Sequence, residues 1–343
     1  MISAPEMPPT APSDPGSAPK FDGMERSDQA AKAVLLELLA VMERHESGVL
    51  QRSDEECLHD YRIAVRRSRS ALSQLRECFP PAIAARFTPR LVTLGRITTP
   101  ARDLDVHLLG FDALKGAVPR QFQAPLELLR GVLAQQADWA YASLFRYLGS
   151  SAYHRFMGDW RRFLETPPPV RPRAPEALTP IAELAGRRIW KLYRRALKQG
   201  RAIKNRSPAE SLHELRKTCK KLRYLLELFR HLYPQAEICH AIKLLKRLQD
   251  YLGEFQDAQV QIYKVHELGQ IMRKQSAVPT DTLLAMGALL GRLDHHESQL
   301  RGEFCKRFRA FASEDHQTEY RSLFRPAEPS AEGAPDQLPE TRA

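Results

Sequence analysis

The sequence predicts an all-α protein made of two similar helical halves. Three observations predict it. Apolar residues recur at helical spacing in both halves. No segment alternates apolar and polar residues, and no hairpin turn joins two such segments. A shift of 154 residues lays the second half on the first, with seven identities in the 23 positions 58–80 against 212–234.

Taken in order, residues 1–27 are rich in Pro, Ser and Ala and are expected to form a disordered arm. They lack the basic start and apolar stretch of a signal peptide. Residues 28–165 form the expected first bundle. Val34, Leu35, Leu38, Leu39 and Met42 share one face of its first helix. The next helix starts at Ser53-Asp54-Glu55-Glu56, a capping residue followed by acids where the helix dipole favours them. It stops at Phe79-Pro80-Pro81. Residues 166–176, with five prolines, read as a stiff linker because neither helix nor central strand tolerates that density. Residues 177–313 form the expected second bundle. Its basic helix is read as capped by Ser207, with Pro208 at the first helical position, and it ends at Tyr233-Pro234. Residues 314–343, with Pro326, Pro329, Pro335 and Pro339, read as a disordered tail.

The chain has 343 residues, 43% hydrophobic, which suffices for sizeable cores. The best apolar run, residues 33–42, is short and carries Glu37, whereas a membrane span needs about 20 apolar residues. Five cysteines without a CxxC pair argue against a disulfide scaffold and a cysteine-rich zinc module. Reduced thiols and a cytoplasmic location are expected. The net charge is +11, which excludes an acidic solvating protein. Both tails are net acidic, so the positive charge sits between them. Residues 187–247 hold 18 Lys+Arg against four Asp+Glu. Like charges this dense repel one another unless an anion neutralises them, so a polyanionic partner is expected.

Helix geometry sorts these charges. At 100° per residue, His59, Arg62, Arg66 and Arg69 fall in a stripe about 80° wide. Leu58, Tyr61, Val65, Leu72 and Leu75 fill the neighbouring sector. His213, Arg216, Lys220 and Arg223 repeat the stripe in the second half. Arg62 is followed at i+4 by Arg66 and Arg216 by Lys220, where helix pairing alone would favour an acid. Cations recurring once per turn suit a linear polyanion, with Arg offering forked donors and Lys a point charge.

The segments LHDYRIAVRRSRSAL and SLHELRKTCKKLRYLLELF, each followed by an RDLDV or QDAQV element, resemble the CHAD family, the conserved histidine α-helical domain. The resemblance spans about residues 28–313. It implies two four-helix bundles related by pseudo-two-fold symmetry, whose basic helices line a groove or pore for inorganic polyphosphate, and an association with intracellular polyphosphate granules. Carried over by motif position, the binding residues are His59, Arg62, Arg66 and Arg69 with His213, Arg216, Lys220 and Arg223. Arg67, Lys217 and Lys221 extend the set. Two departures stand out: Lys220-Lys221 replaces Arg66-Arg67, and Gln256 replaces Arg102. The Glu-x-Glu-x-Lys strand of a triphosphate-tunnel domain is missing from the sequence.

Other residues are weighed beside these. His59 and His213 are open to two readings, as phosphate ligands or as structural histidines bonded to a carboxylate. Asp103 and Asp257 recur 44 residues after the histidines and are expected to orient an Arg or the His. Asp103-x-Asp105-x-His107 and Asp294-His295-His296-Glu297 lack convergent helical spacing, so no metal and no cofactor is expected, and the second reads as a solvated stretch. Cys57 and Cys219 read as structural thiols. GxSxG, HExxH and GxxxxGK[ST] do not occur. A non-catalytic binding protein is expected. The competing expectations are a nucleic-acid-binding protein, for which the stripes lack stacking aromatics, and a metal-dependent phosphatase.

Overall fold

A computed structural model describes residues 22–275 and 278–325. Among them there is no strand beyond one isolated bridge between Arg26 and Pro180. The first half runs α1 (Ser27–Gln51), α2 (Glu55–Gln74), α3 (Pro81–Leu109), two short helices α4 (Phe111–Gly116) and α5 (Arg120–Gln123), α6 (Glu127–Leu148) and α7 (Ser151–Glu165). The second runs α8 (Ile181–Ala202), α9 (Ala209–Leu228), α10 (Gln235–Gln275), α11 (Thr280–Phe311) and α12 (Glu314–Phe324). The starts of α1, α2 and α3 recur in α8, α9 and α10 at the 154-residue spacing read from the sequence.

Local chemistry places these elements. The Asp54 carboxylate accepts the Glu56 N–H at 3.0 Å and caps α2. The α2 chain ends in a 3₁₀ turn at Arg76–Cys78, and Pro81 opens α3, where a missing N–H costs nothing. The start of α9 differs from expectation. Pro208 itself holds the N-cap position, and the Ser207 hydroxyl accepts the Lys204 N–H instead of capping the helix.

The apolar faces predicted for α1 and α2 are buried. Val34, Leu35, Leu39, Met42, Leu58, Tyr61, Val65, Leu72 and Leu75 expose 2% or less, each contributing roughly 1.5–3 kcal/mol. The proline-rich segment contains no helix from 166 to 180, yet it does not divide two separate cores. One apolar cluster takes side chains from α1, α2, α3 and α7 together with α8, α9, α10, α11 and α12. A second joins the ends of α3 and α6 to α10 and α11 through Leu104, Leu133, Val265 and Leu289. Both clusters cross between the halves.

Both predicted tail boundaries shift. The chain from Gly23 to Ser27 is tied to the segment before α8: Ile181 N–H donates to Glu25 O, Ala182 N–H to Gly23 O and Ser27 N–H to Thr179 O. Residues 1–21 of the expected arm lie outside the described residues. At the other end, residues 314–324 are helical rather than disordered. Ser313 caps α12 by accepting the His316 N–H, and His316, Tyr320 and Phe324 are buried at i, i+4 and i+8. The Tyr320 ring stacks on Tyr193 of α8 with centroids 3.8 Å apart. In the first half α7, capped by Ser150, packs on α1 in the same manner. Each half thus adds a fifth long helix to the expected four. Residues 326–343 of the expected tail lie outside the described residues.

Candidate functional site

Helices α2 and α9 touch, so the two basic faces meet where the halves join. Arg66 lies in the field of Arg67 and Arg62 from its own helix and of Arg216 and Arg223 from the other. Lys220 lies in the field of Arg216, Arg66 and Arg223, offset by Asp257. Burial first, and then these like charges, push the Arg66 guanidinium down to about 10 and the Lys220 ammonium down to about 7. The Arg66 side chain nevertheless remains exposed to water. A group that water can touch but protein surrounds lies in a concave recess. Asp103 and Asp257 share that character: both are exposed, and both carboxyls are raised by desolvation.

The stripe residues are held differently in the two halves. Arg62 Nη1 donates to the Thr98 and Thr99 hydroxyls of α3 at 3.2 and 2.9 Å. Those hydroxyls donate back to the Leu94 and Gly95 carbonyls, close to the ladder that Pro100 interrupts. Positions 252 and 253, which face Arg216 by the repeat, are Leu and Gly. The Arg216 Nε is buried without a hydrogen-bond partner. Arg69 lies against Gly95, where a Cβ would stand 2.9 Å from its Nη1. Gln249 takes the Gly95 position in the second half. It accepts from Arg223 Nη1 at 3.1 Å, while Arg223 Nε donates to Glu227 at 2.7 Å.

The three flanking cations divide. Arg67 reaches across to Glu227, 3.4 Å away, and lies over the Tyr224 ring. It joins the halves and is not part of the stripe. Lys217 pairs with Glu214. Lys221 is exposed. Asp103 and Asp257 each act by charge on the arginine of their own half, Arg62 and Arg216. Lys264, which donates to Gln136 of α6 at 2.8 Å, also acts on Asp103.

The histidines are half-buried. His213 Nδ1 lies 2.6 Å from Gln256 Oε1, so its partner is an amide and not the carboxylate of the structural reading. His59 is held below the ordinary imidazole range by burial and then by Arg102, the residue that stands where the second half has Gln256. Asp105 points away from Asp103 and accepts from the buried Tyr141 hydroxyl at 2.7 Å. Glu297 departs from the solvated reading: it is buried, accepting from Gln259 and Arg301. Cys219 is buried with its thiol pushed up to about 12, and Cys57 is half-buried. Among the described residues, the ligand atoms of Glu56, His59 and Asp60 converge within 4.8 Å and form a group with the spacing to hold a metal.

Sequence reasoning missed Thr98, Thr99, Gln249, Glu227 and Lys264. Glu227 carried a signal, because it follows Arg223 at i+4. The threonines precede a proline inside a helix, a setting that favours back-bonding. Lys264 approaches Asp103 only through the packing of α10 on the first half.

No match was found among the curated proteins. Among solved structures, the CHAD domain from the plant Ricinus communis superposes with a TM-score of 0.69 at 26% identity, covering 85% of this chain and 94% of that one. PptA from Streptomyces chartreusis superposes with a TM-score of 0.61 at 18% identity, covering 83% and 99%; at that identity the likeness concerns the fold. The model of the CHAD domain matches residues 33–266. With the helical repeat, the paired histidines and a match over more than half of its length, the chain belongs to the CHAD family.

Proposed function

We propose that this protein binds inorganic polyphosphate without hydrolysing it, through the recess where α2 and α9 meet, and that it acts at cytoplasmic polyphosphate granules. The halves are related by a pseudo-two-fold that brings equivalent basic faces together. The observation that carries the reading is the convergence of Arg62, Arg66, Arg216, Lys220 and Arg223 with too little nearby acid to balance them. Such a cluster costs folding energy that a bound anion returns. A chain of phosphates supplies an anionic oxygen at every repeat and needs no aromatic contact. The aromatics beside the stripes agree, since Tyr61 and Tyr224 are buried and do not stack on a ligand. Asp103 and Asp257 fit positioning roles beside Arg62 and Arg216.

The test is a titration with long-chain polyphosphate at two salt concentrations, with single-stranded RNA as competitor. Tight binding that weakens with salt and resists RNA is expected, by analogy with counterion release from nucleic acids. The double substitution Arg66→Glu with Lys220→Glu should lower affinity by roughly a thousandfold while leaving the helical circular dichroism intact, since two charge-assisted contacts become repulsive. Unchanged affinity in that variant overturns the reading, as does preferential binding of RNA. Orthophosphate release with magnesium or manganese would overturn the non-catalytic part.

A further inference from the structure

We propose that the outer face of α8 is a second polyphosphate-binding surface, which holds a chain other than the one in the recess, so that one molecule bridges two chains. Residues 184–209, which cover most of α8 and the connection to α9, hold nine Lys+Arg and no Asp or Glu. Two of these cations serve the fold: Arg187 pairs with Glu176 and Arg188 with Glu77. Lys191, Arg194, Arg195 and Lys198 do not. All four are exposed, and among the described residues none of them has a hydrogen bond or an ion pair. At 100° per residue they fall in a sector about 100° wide. It is turned away from Ile189, Leu192, Tyr193 and Ala196, which are buried. The α12 helix packs on α8 yet leaves this face open to water. Cations at i+3 and i+4 repel one another, and an anion from outside neutralises such a row.

The first half shows that the fold does not require this row. Glu37, Ala40, Val41 and Arg44 stand at the repeat-equivalent positions of α1 and carry no net charge. The face is also distinct from the recess. The leading charges on Arg66 and Lys220 come from α2, α9 and α10, whereas Arg195 acts on Glu214, on the flank of α9. That flank carries Glu210 and Glu214 beside Lys217 and Lys221, and Glu214 is paired with Lys217. No unbroken cationic track therefore leads from one surface to the other. A chain leaving the recess meets acids before it reaches α8, while a separate chain reaches α8 from solvent without that repulsion. The four cations span about 10 Å along the helix and suit successive phosphates of a linear polyanion. No aromatic side chain lies among them to stack a base. The inference rests on the polyphosphate reading and extends it. With one chain in the recess and another on α8 the protein is a cross-link, and where chains are concentrated the second contact forms at high effective concentration.

The experiment mixes the full chain with long polyphosphate labelled in two batches, one with a donor dye and one with an acceptor, and reads energy transfer between chains. Transfer should rise with added protein and fall again in excess, when each chain carries its own protein molecules. Lys191→Glu with Arg195→Glu should lower the transfer about tenfold or more, because attraction at an exposed face becomes repulsion. The affinity of the same variant for a short polyphosphate, read by calorimetry, should be unchanged, because the recess is intact. Arg44→Glu, at the α1 counterpart of Lys198, should leave both readouts unchanged. If the double variant loses its helical circular dichroism, Lys191→Gln with Arg195→Gln serves instead. Short-chain binding without energy transfer overturns this inference and leaves the polyphosphate reading standing. Absence of short-chain binding overturns both. Energy transfer that the α8 variant retains also overturns the inference, as does recruitment of labelled duplex DNA in preference to the second chain.

Discussion

The two basic faces carry the same stripe but different commitments. In the first half, Arg62 Nη1 donates to Thr98 and Thr99 of α3. In the second, the Arg216 Nε is buried with no partner, and Lys220 stands amid cations that push it down to about 7. The opposing helix makes the difference, because α3 offers hydroxyls where α10 offers Leu252 and Gly253. An arginine already bonded to protein is preorganised but gains less from an anion. The repeat thus holds equivalent arginines differently, bonded to hydroxyls of α3 in the first half and beside the charge of Asp257 in the second.

The largest effect concerns the fifth helices. Trp160→Ala on α7 and Tyr320→Ala on α12 remove fully buried rings, and each should cost about 3–5 kcal/mol in urea unfolding. If Tyr320→Ala costs less than about 1 kcal/mol, α12 is not the structural counterpart of α7. Tyr320→Phe should be nearly neutral, since the hydroxyl has no partner.

A smaller effect separates the two arginines. Arg216→Ala should weaken polyphosphate binding about thirtyfold and Arg62→Ala about fivefold, the first losing a charge-assisted contact of about 2 kcal/mol. Equal losses in a side-by-side titration would remove the distinction between the faces.

The smallest effect is on pH. Lys220 titrates near 7 in the folded chain and near 10.4 when unfolded. Between those values the unfolded state binds more protons, so the stability of the ligand-free protein rises with pH across the window. The proposed polyphosphate contact uses the ammonium form, so affinity should fall severalfold from pH 7 to 9. Lys220→Arg keeps the charge and should flatten both profiles; an unchanged slope in that variant would assign the titration to another group.

Much of the fold was legible because helical chemistry is local. Leu35, Leu39 and Met42 reveal a buried face by spacing alone, and Asp54 reveals a helix start because its carboxylate caps within two residues. The α12 helix had the same kind of signal in Ser313, His316, Tyr320 and Phe324, but the acidic, proline-rich context outweighed three turns of periodicity. The stripes were legible for the same reason, and their cations do meet. The fate of each cation was not. Arg67 had nothing in its own neighbourhood to announce Glu227, 160 positions away, as its partner.

By itself, then, the sequence determined the helical class, the 154-residue repeat and which residues share a helical face. These follow from a rise and rotation per residue that do not depend on the rest of the chain. Only the tertiary structure decided that Arg67 bridges the halves, that Lys220 is driven toward neutrality, that Arg216 keeps an unpaired donor and that Glu56, His59 and Asp60 converge in one copy alone. Each of these depends on through-space distances of a few ångströms between helices or on the rotamers packing selects, and charge interactions and desolvation act over those distances.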